Sequence, residues 1–313
     1  MKRVSLLATV LTICVLPMAA RAGDFVQSDF GASLGHAFDG GVLPNTADYG
    51  WWYGCSPTSA GMLMGYYDRN GYSGLDYSNL VGGGVAEAST YPSTAGLWSS
   101  NAQYAIASPG HVADFYGAGY NNSGDDAYAG RAFDCLADFM GTSQDSAGNV
   151  NGGTGFYYYT DGSPLPYTDV LAYGIQDLDG MYGIGEYIDY RGYSVASLYT
   201  QLTDNDLMKL DITDGFTFAD YKAAIDAGEG VLIHVEDHTM AGIGYDEDGN
   251  IILYDTWNPG PHMMAWGGDY YGLNLWGVTV FELSGGTAPA PGAAVLAMLG
   301  AGCVGWLRRR RTV

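Results

Sequence analysis

A single cysteine stands where a helix is expected to begin. Cys55 opens the run Cys55-Ser56-Pro57-Thr58-Ser59-Ala60-Gly61-Met62, preceded by Gly54. Ser56 is a capping residue type, Pro57 suits a first helical turn and Asn70-Gly71 is a stop signal. The spacing therefore predicts a helix with the thiol at its N-terminal end. That end carries partial positive charge, which favours an anion and eases loss of the thiol proton. Such a thiol is a nucleophile wherever a base can reach it.

The base is expected far downstream. Val231 to Val235 reads as a strand, Glu236-Asp237 as a turn and His238 to Tyr245 as a second strand with His238 at its start. Asp246 to Asn250 is another turn, and Ile251 to Asp255 a third strand. In such a meander His238 and Asp255 share one end of the sheet. The carboxylate can orient the imidazole, and the imidazole can take the Cys55 proton. Asn258 is the rival third member, and His234 a substitute base if His238 faces away. His234 and His238 do not make a zinc pair, because that spacing needs a helix and Val-Leu-Ile-His-Val favours strand.

Cys55 on its helix, followed by the ordered His238 and Asp255 unit, resembles the papain-clan cysteine peptidases, and most closely their bacteriocin-processing-peptidase-like branch. Thr217 to Gly228 resembles the short helix that leads into the histidine strand there. The resemblance spans roughly residues 45–75 and 210–283. It implies an α+β, papain-like fold with a helical half carrying Cys55 and an antiparallel, partly barrel-like half carrying His238 and Asp255. It also implies peptide hydrolysis in the cleft between the halves. The family places a Gln about six residues before the nucleophile as an oxyanion donor. Tyr49 stands at that place here, so Tyr49 or another side chain would join the Cys55 amide in that role.

Both ends of the chain read as addresses. Met1-Lys2-Arg3, an apolar stretch from Ser5 to Ala19 and Ala20-Arg21-Ala22 fit a signal peptide over residues 1–22, with the mature chain starting at Gly23. Residues 23–284 would form one domain. At residues 285–313, Gly285-Gly286-Thr287 and Pro289-Ala290-Pro291-Gly292 precede an apolar run from Ala293 to Leu307 and then Arg308 to Arg311. This tail resembles the PEP-CTERM sorting signal, with Ala290 where Glu is usual. The resemblance implies a transient transmembrane helix, processing by an exosortase-type enzyme, and a final place at the cell surface or outside it. A simple C-terminal anchor is the alternative.

Of the 12 basic residues, seven lie in these two ends, which hold no acid. The region between carries 5 basic residues against 34 acidic ones, a formal charge of −29. Such a surface repels nucleic acid and anionic membrane. Of the four cysteines, Cys14 and Cys303 fall in the end segments. A Cys55–Cys135 disulfide is the alternative to a free nucleophile in an oxidising compartment. Cys135 otherwise reads as a buried residue of an amphipathic helix over 131–140.

No cofactor or metal is expected. Asp204-Asn205-Asp206 and Asp211 to Asp214 lack the spacing of a calcium loop, and His36, His111 and His262 carry no motif, although His262 can line the cleft. The Gly-, Ser- and Tyr-rich stretch 72–130 reads as loops and short elements, and 141–165 as a long surface loop near the cleft. Two functions are open at this point. One is a secreted cysteine peptidase acting on peptide or protein. The other is a catalytically inactive surface or matrix protein on the same scaffold.

Overall fold

Downstream of residue 195, runs of β-branched and aromatic residues alternate with short turns, and these build the sheet. The computed structural model describes residues 40–91, 97–116, 131–205 and 209–284. The expected leader at 1–22 and sorting tail at 285–313 lie outside the described residues, as does His36. Among the described residues no helix is long and apolar enough to cross a membrane.

In chain order the helices are α1 (Cys55–Asn70), α2 (Asn101–Ile106), α3 (Pro109–His111), α4 (Leu136–Phe139), α5 (Tyr167–Tyr173), α6 (Gly180–Tyr190) and α7 (Phe218–Ala227). The strands are β1 (Leu165–Pro166), β2 (Val195–Leu202), β3 (Gly230–Val235), β4 (His238–Tyr245), β5 (Asn250–Tyr254), β6 (His262–Ala265), β7 (Asp269–Tyr270) and β8 (Leu273–Leu283). The sheet runs β1-β2-β8-β3-β4-β5-β6, with β7 paired to β8, and every pair is antiparallel. The expected α+β class with an antiparallel sheet is what forms. β3, β4 and β5 stand where the three-strand meander was expected.

The centre of the molecule is α1 laid on β3 and β4. β3 and β4 are buried along their whole length, and α1 is buried at every position except its last two. A helix that must bury all its faces has no polar stripe, and α1 has none. The Tyr67 hydroxyl fastens it by donating to the Phe281 carbonyl (3.0 Å) and accepting from the Gly230 N–H (2.7 Å). Gly71 ends α1 at φ 69°, as Asn70-Gly71 leads one to expect. α7 starts with a capping box between Thr217 and Asp220 and stops at Gly228 with φ 78°.

Two expectations need correction. The helix over 131–140 is only the short α4, because Cys135 is extended and serves as its N-cap residue instead of lying in its interior. The stretch 141–165 is not a surface loop. Residues 141–144 and 152–154 are buried, with the Asn149 side chain donating to the Gly141 carbonyl and the Thr142 hydroxyl bonded to that of Thr154. Small and amide side chains let this irregular backbone find its partners inside.

α6 passes against α4 through a glycine. A Cβ on Gly183 would overlap the Phe139 carbonyl and approach the Met140 Cα to 2.7 Å. Backbone cannot yield as a side chain can. Gly183→Ala should therefore lower stability by about 1–3 kcal/mol, although alanine is the better helix former by about 1 kcal/mol. The comparator is Gly185→Ala, whose Cβ meets side-chain atoms alone, the Leu198 Cδ2 at 2.9 Å and the Tyr167 Cδ2 at 3.9 Å. Urea midpoints should fall for the first and stay near wild type for the second.

Candidate active site

Cys55 is the first residue of α1, with Gly54 as its N-cap and no side chain bonding across the cap. Gly54 has no room for a side chain, since a Cβ would lie 2.9 Å from the Gly152 carbonyl oxygen and from Pro57. Pro57 sits in the first turn as expected. Ser56 does not cap. Its hydroxyl donates to the Thr239 Oγ1 (2.9 Å), and the Ser59 hydroxyl donates to the Thr239 carbonyl (2.9 Å). Residues three apart share a helix face, so these two serines dock the first turn of α1 on the second residue of β4. His238 is the residue before that docking point.

The thiol lies in this seam. Burial pushes the Cys55 thiol up, while hydrogen bonds from the Thr239 backbone and from Ser56 pull it down without prevailing. The helix terminus therefore moderates the cost of a thiolate and does not create one at rest.

His238 is buried with its ring stacked on Trp257, the centroids 3.9 Å apart and the planes at 19°. The register explains the partner. β4 pairs with β5 at Ala241 and Tyr254, and continued beyond the last pair it sets Trp257 across from His238. His238 Nε2 is 2.8 Å from the main-chain carbonyl oxygen of Asp255. A carbonyl only accepts, so Nε2 carries the hydrogen and Nδ1 is left as the basic nitrogen. Burial lowers His238 to about 4, against the opposing pull of Asp255.

The Asp255 carboxylate is not the group that holds His238. Its Oδ1 accepts from the backbone N–H groups of Trp257 and Asn258, both at 2.8 Å. Its Oδ2 accepts from the Tyr270 hydroxyl (2.8 Å) and the Asn258 Nδ2 (3.3 Å), with His262 Nε2 at 3.6 Å. An aspartate just past a strand end satisfies the next N–H groups locally, which leaves its carbonyl to face the imidazole. Asn258, the rival third member, spends its side chain on Asp255. Thr256 between them adopts φ 67°, a left-handed conformation a β-branched residue rarely takes. It is held there by the Trp51 N–H on its carbonyl (2.7 Å), and next to it the Gly260 N–H donates to the Asp48 Oδ2 (2.7 Å). Asp48 is raised to about 6 by burial, with Asp255 adding to the rise.

Tyr49 is not at the thiol. Its buried hydroxyl donates to the Glu87 carbonyl (2.8 Å) and lies against Gly65, where a Cβ would come within 2.7 Å of it. Gly65 is about 15 Å along α1 from Cys55, so the position that matches the family's Gln supplies core packing. The Cys55 amide at the helix start remains as an oxyanion donor. His234 is no substitute base. Its Nδ1 is 3.1 Å from the Thr239 Oγ1, its Nε2 is 2.8 Å from the Thr279 Oγ1, and burial takes it down to about 3. Cys55 and Cys135 are both free and buried, so they form no disulfide.

Asp204 accepts from the Trp266 indole (2.9 Å) and the Asn205 amide donates to the Leu275 carbonyl (2.5 Å), which makes these loop braces; Asp206 lies outside the described residues. Sequence reasoning passed over Trp257, Thr239 and the pair Ser56 and Ser59. The legible signal was two small polar side chains on one face of the first turns of a helix that is buried throughout those turns.

This geometry separates two roles that one carboxylate usually combines. If the Asp255 carbonyl sets the tautomer, Asp255→Asn should keep any hydrolytic activity within about tenfold of wild type, where a carboxylate acting on the ring would cost about 10⁴-fold. Stability should fall by about 1–3 kcal/mol as the Tyr270 and Asn258 bonds weaken. Steady-state rates beside urea melts separate the two effects. Compared with known proteins, the chain matches no family model, no curated protein and no solved structure.

Proposed function

We propose that the protein is an exported cysteine peptidase of papain-like fold, with Cys55 as nucleophile and His238 as base. The observation that carries this reading is the docking of the Cys55 turn on Thr239, which sets a helix-start thiol against the strand residue that follows a histidine with a free Nδ1. In the proposed reaction the Cys55 sulfur attacks a peptide carbonyl carbon and His238 Nδ1 takes the thiol proton. The Cys55 amide stabilises the oxyanion, His238 returns the proton to the leaving amine, and water then hydrolyses the thioester. Trp257 over the imidazole keeps water from its Nε2 hydrogen bond, and the Asp255 carboxylate holds the loop that carries Trp257. Export by the leader and sorting by an exosortase-type enzyme through residues 285–313 belong to the same reading, as does transient membrane association of the apolar tail.

A second reading, a surface or matrix protein without activity, draws on a specific feature. The thiol and imidazole are both buried and both driven towards their neutral forms. A thiol-reactive peptide probe followed by peptide mapping distinguishes the two. The peptidase reading expects one label per chain, on Cys55. Labelling that persists in Cys55→Ala, or no labelling of the folded protein, supports the second.

A further inference from the structure

The turn of α1 that carries Cys55 is tied to a line of buried polar side chains running across three strands. β3 lies between β8 and β4 in the sheet, and His234 on β3 stands directly opposite Thr239 on β4. The imidazole therefore reaches a threonine on each neighbouring strand. Its Nδ1 is 3.1 Å from the Thr239 Oγ1, and its Nε2 is 2.8 Å from the Thr279 Oγ1 on β8. The Ser56 hydroxyl joins the line at 2.9 Å from the Thr239 Oγ1. Ser56, Thr239, His234 and Thr279 are each 0% exposed. The Phe156 and Trp276 rings pack on the imidazole, with centroids 4.4 and 6.0 Å from it.

Counting hydrogens gives this line a direction. Each hydroxyl has one. Ser56 gives its own to Thr239, so the Thr239 hydrogen needs another acceptor, and His234 Nδ1 is in place to take it. A buried hydroxyl hydrogen with no acceptor is strongly disfavoured. Nδ1 therefore accepts, the His234 hydrogen sits on Nε2, and Nε2 donates to Thr279. Every link points from the α1 turn into the sheet.

The consequence falls on the sulfur, because the Ser56 hydroxyl is also a group that can donate to a Cys55 thiolate. With the Thr239 hydrogen held by His234, Ser56 turns to the sulfur only by leaving Thr239. Ionisation of Cys55 then gains one hydrogen bond and loses another. We propose that His234 is a positioning residue for the candidate nucleophile: it holds the Thr239 hydrogen, commits the Ser56 hydroxyl to Thr239 and so keeps Cys55 neutral until its base acts. The device works without charge on His234, since burial takes that ring down to about 3. Tyr158, the ionisable side chain beside it with ring centroids 6.3 Å apart, is also kept neutral by burial, and so is His238, which precedes Thr239. The catalytic meaning of this role rests on the peptidase reading, but its readout does not.

The test titrates full-length protein carrying isotope-labelled cysteine and follows the Cys55 Cβ resonance by NMR. That resonance moves when the thiol ionises, needs no reagent at the sulfur, and is assigned with Cys55→Ala. His234→Leu frees the Thr239 hydrogen for Ser56 and the Ser56 hydrogen for the sulfur. The Cys55 midpoint should then fall by about half a unit to one unit, a thiolate fraction about three- to tenfold larger at a given pH. In a Ser56→Ala background the same substitution should move nothing. Ser59→Ala, which breaks the other bond of that turn to Thr239, should leave the midpoint in place. Should His234→Leu fail to fold, Thr239→Val decides the matter, because it removes the hydroxyl that holds Ser56 and should lower the midpoint by the same amount. An unmoved midpoint in the folded variants, a fall that persists without the Ser56 hydroxyl, or an equal fall in Ser59→Ala overturns the proposal. A protein that cuts no peptide would still show these shifts, so loss of the peptidase reading and loss of the His234 role are told apart.

Discussion

Cys55→Ala should reduce peptide hydrolysis by at least about 10³-fold in kcat/KM, while the far-ultraviolet circular dichroism stays that of wild type. The two outcomes separate because the thiol contributes little to holding α1 in place. The helix is docked by Ser56 and Ser59 on Thr239 and by Tyr67 on the Phe281 and Gly230 backbones, and all of these survive the substitution. His238→Ala should cost a similar factor, and the double variant little more than either alone, since residues that act as one unit are not additive. Cys135→Ala is the control and should leave the cleavage pattern unchanged. A peptide-library digest read by mass spectrometry checks all four. Cleavage by Cys55→Ala at wild-type rate would end the peptidase reading, and so would a wild-type protein that cuts nothing.

What the sequence made legible was the local part of this arrangement. β3 and β5 are rich in β-branched residues, and β3, β4 and β5 are separated by Glu236-Asp237 and by a turn that Asp246 closes on the backbone of Asp248 and Asn250. α7 carries its own start and stop in Thr217, Asp220 and Gly228. Such signals act over a few residues, so a single chain displays them. What was hidden depends on which atom of a residue faces which neighbour. Asp255 was correctly placed at the strand end, but its carboxylate turned back to the next two N–H groups and offered His238 a carbonyl instead. Tyr49 stood at the right distance in sequence and packed nearly three helical turns away, because the chain before Gly54 runs along α1 instead of crossing its N-terminus. A buried cluster of His111, Cys135 and Asp138 joins residues with no common periodicity. Only the folded chain, which sets His111 Nδ1 2.9 Å from the Asp138 Oδ1, reveals it.

The acid limit of activity should fall well below the ordinary histidine range. On the peptidase reading the form that works is neutral His238, and burial lowers its proton affinity from 6.5 to about 4. Between those values the folded imidazole stays free of the proton that an exposed one would hold. The rate should therefore hold down to about pH 4 and then drop about tenfold per pH unit as the base is lost. Unfolding should not imitate this limb. Depressed histidines give stability that is complete above pH 6.5 and declines as pH falls towards the folded values of about 4 for His238 and about 3 for His234. Each loses about 1.4 kcal/mol per unit in that window. Two carboxyls, the buried Asp179 and the half-buried Asp48, act in the opposite sense. Asp179, raised to about 7, and Asp48, raised to about 6, take up protons in the fold first, so their contribution grows as pH falls to 3.8. The two sets oppose one another between pH 6 and 4, and Asp68, Asp134, Glu186 and Glu229, all raised by burial, add to the carboxyl side, so urea midpoints should not fall in that window while activity persists. A thiolate–imidazolium pair would also push the acid limb down, so alkylation must separate it from a neutral pair. With the Cys55 thiol raised by burial, iodoacetamide should react slowly at neutral pH and faster as pH rises through 9, whereas an ion pair would react at a constant rate across that range. An acid limb near 6.5 would mean that water reaches the imidazole, and a flat alkylation profile would mean that the pair rests charged.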